Sequence, residues 1–480
     1  MILVNRVRPI SIPKHMKTLN VILFAFVLIA CAYAQDSPGG HFYFSGPLNQ
    51  LVNSGTKVAP VASGLPFSIV LTDSGVRISP ADFDLKPAGG DLPIKLRFEN
   101  LKFSRGRLTG TAKITNTSGS IIEGVRLDLV STTEEFQTKD AKGNPVTSTR
   151  NQTANLASPL FFGDLAKGDS SDGVAFDVAT IKFAPETTKV TVHGVVSGLR
   201  YLGAFNVPDV NDPKQIDIDA QGRIYICDTV GNRVLRTDAE GHNAETVAKL
   251  DDQCLSVAVN PKTGDIYAVR GNADVVYIFS NSGQPKGSFE GGDYVDLLHM
   301  RFDRAGNLHT SGSHVFRFQD QKPVMNVKEA LNEELSGQGI DVDAGGNIWV
   351  VSGLEDKRSF FRLAPDGSSA IRISNGADWH LGALDVPETV RVDATGNAYV
   401  AELGQEGVED ARISVFDKNG QFVRAFGRGG RTPDSNADKL LPGQVYRPTD
   451  IAFGPDGRVY VSGENDGGFK ENMMLMFKPF

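Results

Sequence analysis

The feature that most constrains this chain is a pattern that occurs six times in its C-terminal three-fifths. Each copy is an apolar strand, a tight turn that ends near a glycine, and a second apolar strand with an aromatic residue or histidine near its middle. Glycine supplies the positive φ that such turns need. Self-similarity at a fixed period predicts a repeat architecture. The copies lie at 216–226, 257–269, 300–309, 340–350, 390–400 and 451–461.

A third apolar strand follows each pair, and a fourth follows in places, most clearly at 422–427. Four strands per repeat of this length predict a β-propeller blade. The sixth copy stops at Phe480, directly after its third strand, whereas 199–205 precedes the first copy and resembles 422–427. We expect 199–205 to complete the sixth sheet, which closes the ring and removes exposed edges. The sequence thus predicts a six-bladed propeller at 198–480.

A second all-β region precedes the repeats. Apolar and polar residues alternate in short runs from 94 to 196, separated by turn clusters, and this predicts a β-sandwich at 66–197. The stretches 111–119 and 165–170 resemble the bacterial immunoglobulin-like modules of adhesins and spacers, so we expect an immunoglobulin-like sandwich. Residues 35–65 are rich in Gly, Pro, Ser and Asn and are predicted to be a linker.

Residues 1–34 have the composition of an export signal. Basic residues precede a short apolar segment, and Ala32-Tyr33-Ala34 offers a cleavage site. The run Leu28-Ile29-Ala30-Cys31 also resembles a bacterial lipobox, in which Cys31 would carry a lipid and become the mature N-terminus. We therefore expect an extracellular, periplasmic or cell-surface protein, and any membrane attachment would be through that lipid.

Charge and cysteine content narrow the function classes further. The formal net charge is −8, which argues against nucleic acid as a partner because phosphate binding needs a basic face.

Cleavage after Ala34 would leave Cys227 and Cys254 as the two cysteines of the mature chain. A disulfide between them is geometrically feasible in an oxidising compartment, and two buried free thiols are the alternative.

The repeats resemble the NHL family. The resemblance is carried by Asp393-Ala-Thr-Gly-Asn-Ala-Tyr-Val400 and its counterparts, and by Asp228-Thr-Val-Gly-Asn-Arg-Val234 after the first pair. It implies a six-bladed propeller that acts as a binding or scaffold module, and it implies no chemistry by itself. Only Asp228 keeps the family's acidic residue after the second strand, with Glu402 a near match.

Blade connectivity places the second-to-third loops and the inter-blade connections on one face, where lengths and sequences vary most. Binding residues tend to lie on variable loops held by a rigid scaffold, so we place a ligand on that face, over the central channel. The candidate binding residues are Gln215, Asp228, Arg270, His299, Trp379, His380, Glu402 and Asp450.

The sequence is compatible with two functions. The first is an exported, non-catalytic module that binds a protein, peptide or glycan and uses the sandwich as a spacer. The second is a metal-dependent enzyme, either a calcium-dependent lactonase-type hydrolase or a zinc enzyme similar to the peptide-amidating lyase. Zinc catalysis uses about three protein ligands, and the sequence offers His299 and His380 without an evident third. No catalytic residues are assigned, and no cofactor is required by the first function.

Overall fold

The computed structural model describes residues 64–72, 75–77, 82–85, 94–153, 159–178, 181, 187–210, 212–271, 275–290, 299–312, 314–326, 337–352, 359–375, 384, 386–403, 411–427, 442–463 and 473–480. All regular structure in these residues is β-strand. The described part of the chain contains no helix with the length and hydropathy needed to cross a membrane. Cys31, Trp379 and His380 lie outside the described residues, as do the predicted export signal and all but the last two residues of the predicted linker.

The N-terminal region consists of two antiparallel sheets that share one apolar core. Residues that alternate along each strand point into this core, as in Ile94-Lys95-Leu96, where the apolar residues are buried. The first sheet contains β1 (Leu65–Thr72), β2 (Gly75–Arg77), β6 (Ile122–Lys139), β7 (Pro145–Thr153), β8 (Leu160–Leu165) and β10 (Thr187–Asn206). The second contains β3 (Asp82–Leu85), β4 (Ile94–Ser104), β5 (Arg107–Asn116) and β9 (Val174–Val178).

The remaining strands form five four-stranded antiparallel sheets and a group of three strands that continues the first sheet, and we call these six groups units one to six in chain order. Units one and two are β11–β14 (Pro213–Ile218, Ile224–Asp228, Arg233–Thr237, Glu245–Lys249) and β15–β18 (Cys254–Val259, Ile266–Arg270, Val275–Phe279, Pro285–Glu290). Units three and four are β19–β22 (His299–Phe302, Leu308–Ser311, Phe316–Gln319, Lys322–Asn326) and β23–β26 (Gly337–Val342, Ile348–Ser352, Ser359–Leu363, Ala370–Asn375). Unit five is β27–β30 (Pro387–Val392, Ala398–Glu402, Arg412–Phe416, Phe422–Phe426). Unit six contains β31–β33 (Pro448–Phe453, Val459–Gly463, Met473–Pro479).

The first strands of the six units contact one another in a closed cycle. β11 contacts β15, and the series continues through β19, β23 and β27 to β31, which contacts β11 again. The innermost strand of every unit therefore faces a common axis. This arrangement brings the same position of each repeat close to the axis, so six residues that are far apart in sequence can form one site.

Unit six is completed by a strand that comes from before unit one. Tyr201 pairs with Phe477 and Phe205 pairs with Met474, so the end of β10 forms the fourth strand beside β33. This confirms the predicted closure of the ring. β10 runs without interruption from Thr187 to Asn206, so the boundary predicted at 197 lies within a single strand that belongs to both regions.

The tight turns between first and second strands use a shared hydrogen-bond pattern. In unit five, Asp393 Oδ1 accepts from the backbone N–H groups of Thr395 (2.8 Å) and Asn397 (2.9 Å). The aromatic residue of the second strand donates to the same type of aspartate in other units, as Trp349 Nε1 does to Asp343 Oδ2 (3.1 Å). His309 Nε2 lies 3.4 Å from Asp303 Oδ2 in unit three. A histidine can therefore occupy the aromatic position because its ring nitrogen supplies the same polar contact.

The sandwich packs directly on unit five. Arg126 of β6 is fully buried, donates to the Val423 carbonyl of β30 and pairs with Asp128 (Nε to Oδ2, 2.8 Å). Its guanidinium lies 5.4 Å from the ring of Phe161, which is 6.1 Å from the ring of Phe422. A buried cation above an aromatic ring adds attraction to the apolar contact. The interface between the two regions is thus both apolar and specifically hydrogen-bonded.

Cys227 at the end of β12 and Cys254 at the start of β15 form a disulfide that joins units one and two. Both residues are buried, and their Cα atoms are 5.5 Å apart. The alternative of two free thiols therefore does not describe this structure. The bond is placed between neighbouring units at the end of the strands that faces the variable loops.

We expect the double substitution Cys227→Ser and Cys254→Ser to lower the free energy of unfolding by about 3 to 4 kcal/mol, because the bond closes a loop of intermediate length in the unfolded chain. Urea unfolding of both proteins would measure the difference. A thiol titration of the unfolded, unreduced wild-type protein serves as the control. Two free thiols in that titration would contradict the expectation.

Candidate functional site

Six equivalent positions on the innermost strands form a layer around the axis, which we call the axial ring. It consists of Gln215, Ser256, His299, Gly339, Thr389 and Asp450. Each of these residues is buried, and His299 retains 8% exposure. In most units the first strand shifts register by a bulge just before this position, for example between Pro448 and Asp450. Bulges re-aim side chains, and here they accompany the residues that face the axis.

A second layer lies two residues further along each strand and contains Asp217, Ala258, Arg301, Asp341, Arg391 and Ala452. Arg301 Nη2 is 2.7 Å from Asp450 Oδ2, and Arg391 Nη2 is 2.5 Å from Asp450 Oδ1. Both guanidinium groups are almost completely buried, and Asp450 is fully buried. Two cations from the second layer therefore reach one carboxylate of the axial ring and occupy the axis.

The two arginines also cross-link the units through backbone carbonyls. Arg301 donates to Ile216 O at 2.7 Å and to Val257 O at 3.1 Å. Arg391 donates to Ile340 O at 2.7 Å and to Ile451 O at 3.0 Å. These bonds matter because a charge removed from water needs its hydrogen-bonding capacity filled.

Acidic residues of both layers bind the backbone of the next unit. Asp450 accepts from the N–H of Ile216 at 2.9 Å. Asp217 accepts from Val259 at 2.8 Å and Asp341 accepts from Val392 at 2.7 Å. Each carboxyl thus joins the first strand of its own unit to that of the following one, which explains why charged residues occur in otherwise apolar strands.

Burial changes the protonation of this cluster. Burial acts to raise the pKa of Asp450, whereas Arg301 and backbone hydrogen bonds act to lower it. Burial likewise raises the pKa of Asp341 to about 7, and it raises the pKa of Asp217. Burial lowers the pKa of His299 to about 3, with the nearby positive charges of Arg301 and Lys214 acting in the same direction. The imidazole is therefore neutral at physiological pH.

These shifts give the ring a pH-dependent stability. An aspartate whose pKa is about 7 when folded and about 3.9 when unfolded binds its proton more tightly in the folded state, so stability falls as pH rises from about 4 to 7. His299 acts in the opposite sense below pH 6.5, and Asp217, whose pKa is also raised, acts in the same sense as Asp341. We expect the melting temperature to be slightly lower at pH 8 than at pH 6.5, because the aspartates lose more stability over this range than His299 gains. Calorimetry should show a weaker pH dependence for Asp341→Asn, and an equal slope would contradict this assignment.

The structure brings three of the predicted binding residues together and places Asp228, Arg270 and Glu402 in separate units. Gln215, His299 and Asp450 all belong to the axial ring. Asp228 and Glu402 are fully buried, each at the end of the second strand of its own unit. These two carboxylates are therefore components of separate units and are not positioned to act together.

Asp228 and Glu402 each pair with an arginine of their own unit. Asp228 pairs with Arg233 (Nε to Oδ2, 2.8 Å), and Glu402 pairs with Arg412 through two hydrogen bonds of 3.1 and 3.0 Å. In both units the arginine opens the third strand directly opposite the acid. At the equivalent position of unit two, Arg270 pairs with Asp251 at 2.7 Å. The pairs in units one and five fix the second-to-third connections to their strands, and the pair in unit two joins β16 to the connection between units one and two.

Sequence reasoning missed Arg301, Arg391, Asp217 and Asp341. A signal was present, because each is a charged residue between two apolar residues in the innermost strand, as in Met300-Arg301-Phe302. A charge that lies between two apolar residues of a buried strand indicates a paired, buried group. Aligning the six copies column by column would have identified all four.

The axial cluster is not suited to hold a metal ion in this arrangement. Asp450 is engaged by two guanidinium groups, and a cation placed beside them would be repelled. Among the residues that the structure describes, no group of three or more His, Cys, Asp or Glu side chains has the geometry of a metal site. The calcium and zinc sites considered from sequence thus gain no ligand set from the described residues.

Similarity to known proteins is found only at the level of structure. No family model and no curated protein sequence matches the chain. Solved structures similar to it include a gluconolactonase from Xanthomonas campestris (14% identity, TM-score 0.42, covering 59% of this chain and 90% of that one). Others are the virginiamycin B lyase of Staphylococcus aureus with quinupristin (12%, 0.40, 74% and 99%) and the WD40 β-propeller domain of Doa1 (11%, 0.40, 58% and 97%). The chain is all-β and its structural neighbours are β-propeller proteins, and similarity at this level carries no information about activity.

Proposed function

We propose that the six units are a six-bladed propeller of the NHL type behind an immunoglobulin-like sandwich, and that the protein is an exported, non-catalytic binding module. Its ligand would be a protein, peptide or glycan that docks on the face formed by the second-to-third loops and the connections between units. The signal-like N-terminus supports export, and the alternatives of release after Ala34 and lipid attachment at Cys31 both remain part of this proposal.

The observation that carries the non-catalytic assignment is the pairing of Asp450 with Arg301 and Arg391 on the axis. A channel-based metal enzyme needs carboxylate or imidazole groups that are free to coordinate its ion. Here the axial carboxylate is committed to two cations that also bind backbone carbonyls of neighbouring units. The charged residues on the axis therefore stabilise the fold. The loop face is the surface that remains available to bind a ligand.

The loop face offers an apolar contact in unit one. Val230 lies in the second-to-third connection, directly after Asp228 and Thr229, and is 63% exposed. Asp228 accepts from the N–H of Gly231 at 3.2 Å and so supports this connection from below. An exposed apolar residue on a connection that is fixed at both ends can contact a partner without a large ordering cost.

Metal analysis and a binding screen would test the proposal together. We expect the purified full-length protein to contain no stoichiometric calcium or zinc and to bind a component of a peptide or glycan array. The Val230→Lys variant should bind that component at least about fivefold more weakly, because a charge replaces an apolar contact. Val324→Lys is the matched control, since Val324 is 48% exposed on the outermost strand of unit three. One equivalent of either metal, or equal weakening by both variants, would count against the proposal.

A further inference from the structure

We propose that the loop-face end of the axis binds a carboxylate group of the ligand through the imidazole of His299 and the hydroxyl of Ser311. This inference rests on the proposed function, because it assigns a chemical class to the ligand of the same face. These two groups are hydrogen-bond donors for which the described residues offer no acceptor. Their role would explain why His299 keeps some exposure in an axial ring whose other polar side chains are completely buried.

The tautomer of His299 follows from the orientation of Gln215. The backbone N–H of Val257 donates to one terminal atom of Gln215 at 3.0 Å, and that atom must therefore be the oxygen. The hydroxyl of Ser256 contacts the same oxygen. The other terminal atom is then the amide nitrogen, which lies 3.4 Å from His299 Nδ1 and 3.4 Å from the carbonyl of Met300. Because an amide nitrogen only donates, Nδ1 is the acceptor and the proton of the neutral ring is on Nε2.

His299 Nε2–H has no partner among the described residues, although the side chain is more than nine-tenths buried. A polar partner at this position would be stabilising, because little water can reach a donor on a side chain that is so largely buried. The residual exposure of His299 distinguishes it from the other side chains of the axial ring, whose polar groups are completely buried. The unused donor is therefore at the one point of the axial ring that remains in contact with its surroundings.

Ser311 provides a second donor on the same side of unit three. It lies directly opposite His299 in the β19–β20 ladder, and residues opposite one another in an antiparallel pair project to the same face. Its equivalent in unit one is Cys227, which reaches Cys254 of the following unit, so Ser311 faces unit four. The Ser311 hydroxyl is completely buried, and no residue that the structure describes forms a hydrogen bond with it.

The charge of the surroundings favours an anionic acceptor. Arg301 and Lys214 are the charged groups that act on His299, and both are positive. Asp217 and Asp341 also act on Arg301, but burial raises the pKa of both carboxyls and so favours their neutral forms beside the arginines. Two neutral donors on adjacent strands in a positive potential suit the two oxygens of a carboxylate. A cationic or purely apolar group would leave both donors unsatisfied.

Nuclear magnetic resonance of the full-length protein with ¹⁵N-labelled histidine tests the donor. We expect His299 to be neutral with its proton on Nε2 from about pH 5 to 8, as its lowered pKa requires. The probes are an acetylated dipeptide with a free C-terminal carboxylate and the same dipeptide as its C-terminal amide. The free acid should shift the Nε2–H resonance and the amide should not. A proton on Nδ1, or equal responses to acid and amide, would overturn the proposal.

Two neighbouring hydroxyls allow a matched comparison of variants. Ser311→Ala should weaken binding of the free-acid dipeptide about tenfold, the usual effect of losing one hydrogen bond to a charged group. Thr310→Val is the control, because Thr310 is equally buried and also lacks a partner in the described part of the chain, but projects from the opposite face of the same strand. Both variants should keep the melting temperature, since each removes an unsatisfied hydroxyl. Equal weakening by the two variants, or none, would show that Ser311 holds only water and would reject the site.

The array screen separates failure of this inference from failure of the proposed function. If an array ligand binds the wild-type protein and His299→Phe equally well, the carboxylate site is wrong and the binding module stands. If the free-acid dipeptide binds at His299 while Val230→Lys has no effect on any array ligand, the carboxylate site stands and the loop-face contact is wrong.

Discussion

Replacing Asp450 by asparagine should lower the free energy of unfolding by about 3 to 5 kcal/mol, the loss expected when one partner of a buried ion pair is removed. Asparagine has the same shape, and its side-chain oxygen can still accept from the N–H of Ile216, which Asp450 does at 2.9 Å. The difference therefore reports the charge. Arg301 and Arg391 would be left buried without a counterion on the axis. Urea unfolding at pH 8, where the carboxyl is ionised in the wild type, would measure the loss.

Asp456→Asn is the control for this substitution. Asp456 also pairs with an arginine, Arg458, at 2.8 Å, but its side chain is 44% exposed. Exposed pairs contribute about 0 to 1 kcal/mol, so this variant should unfold almost as the wild type does. Adding Arg391→Met to Asp450→Asn should recover part of the loss, because it removes one of the unpaired cations. Equal losses at Asp456 and Asp450, or no recovery in the double variant, would contradict the structural role of the axial cluster.

The sequence was sufficient to predict the repeat pattern and the closure of the ring, because both depend on backbone periodicity. The turn aspartates and glycines recur at fixed spacing, and Gly396 has the positive φ (90°) that its turn position requires. The pairing of Tyr201 with Phe477 was predicted from a missing fourth strand, an argument about counting strands that needs no side-chain coordinates.

The side-chain partners could not be predicted in the same way. Asp228 and Glu402 were interpreted as ligand-binding candidates because they adjoin the variable loops of one face. In the structure each is opposite an arginine at the start of the next strand, and that pairing depends on register. The register of a hairpin follows from the length of its loop, and these loops differ in length between units. The connection from Asp228 to Arg233 is short, whereas Glu402 and Arg412 are ten residues apart.

The sandwich was expected to act as a spacer. In the structure it shares the strand β10 with unit six of the ring. β10 pairs with β6 of the sandwich at Leu199 and with β33 of unit six at the same residue. Phe480 exchanges two backbone hydrogen bonds with Gly198 and packs on the sandwich core. A β-carbon at Gly198 would lie 2.7 Å from the Phe480 ring, so glycine is required for this approach. A strand that belongs to two cores couples their stabilities, because neither core can lose it independently.

Because the two cores share β10, we expect a large loss of stability from a substitution that disrupts the packing around this strand. Phe477→Ala should lower the free energy of unfolding by about 3 to 5 kcal/mol, since it empties the space of a large, fully buried ring. The Phe477 ring lies 5.6 Å from that of Tyr201 and 5.0 Å from that of Phe426, so the cavity opens between β10 and unit five. Ile371→Ala is the control, because Ile371 is 54% exposed on β26 and its truncation should cost about 0.5 kcal/mol or less.

Hydrogen exchange of Phe477→Ala distinguishes a coupled fold from two independent ones. Opening of unit six releases the C-terminal half of β10, and the same strand is the central partner of β1 and β6 in the sandwich. If the two regions are one cooperative unit, exchange should accelerate in β1 and β6 as well as in β33. Faster exchange confined to units five and six would mean that β10 can separate from the ring while it holds the sandwich together. The ring would then close by a strand that detaches easily, and a variant that lost this closure would still contain an intact sandwich.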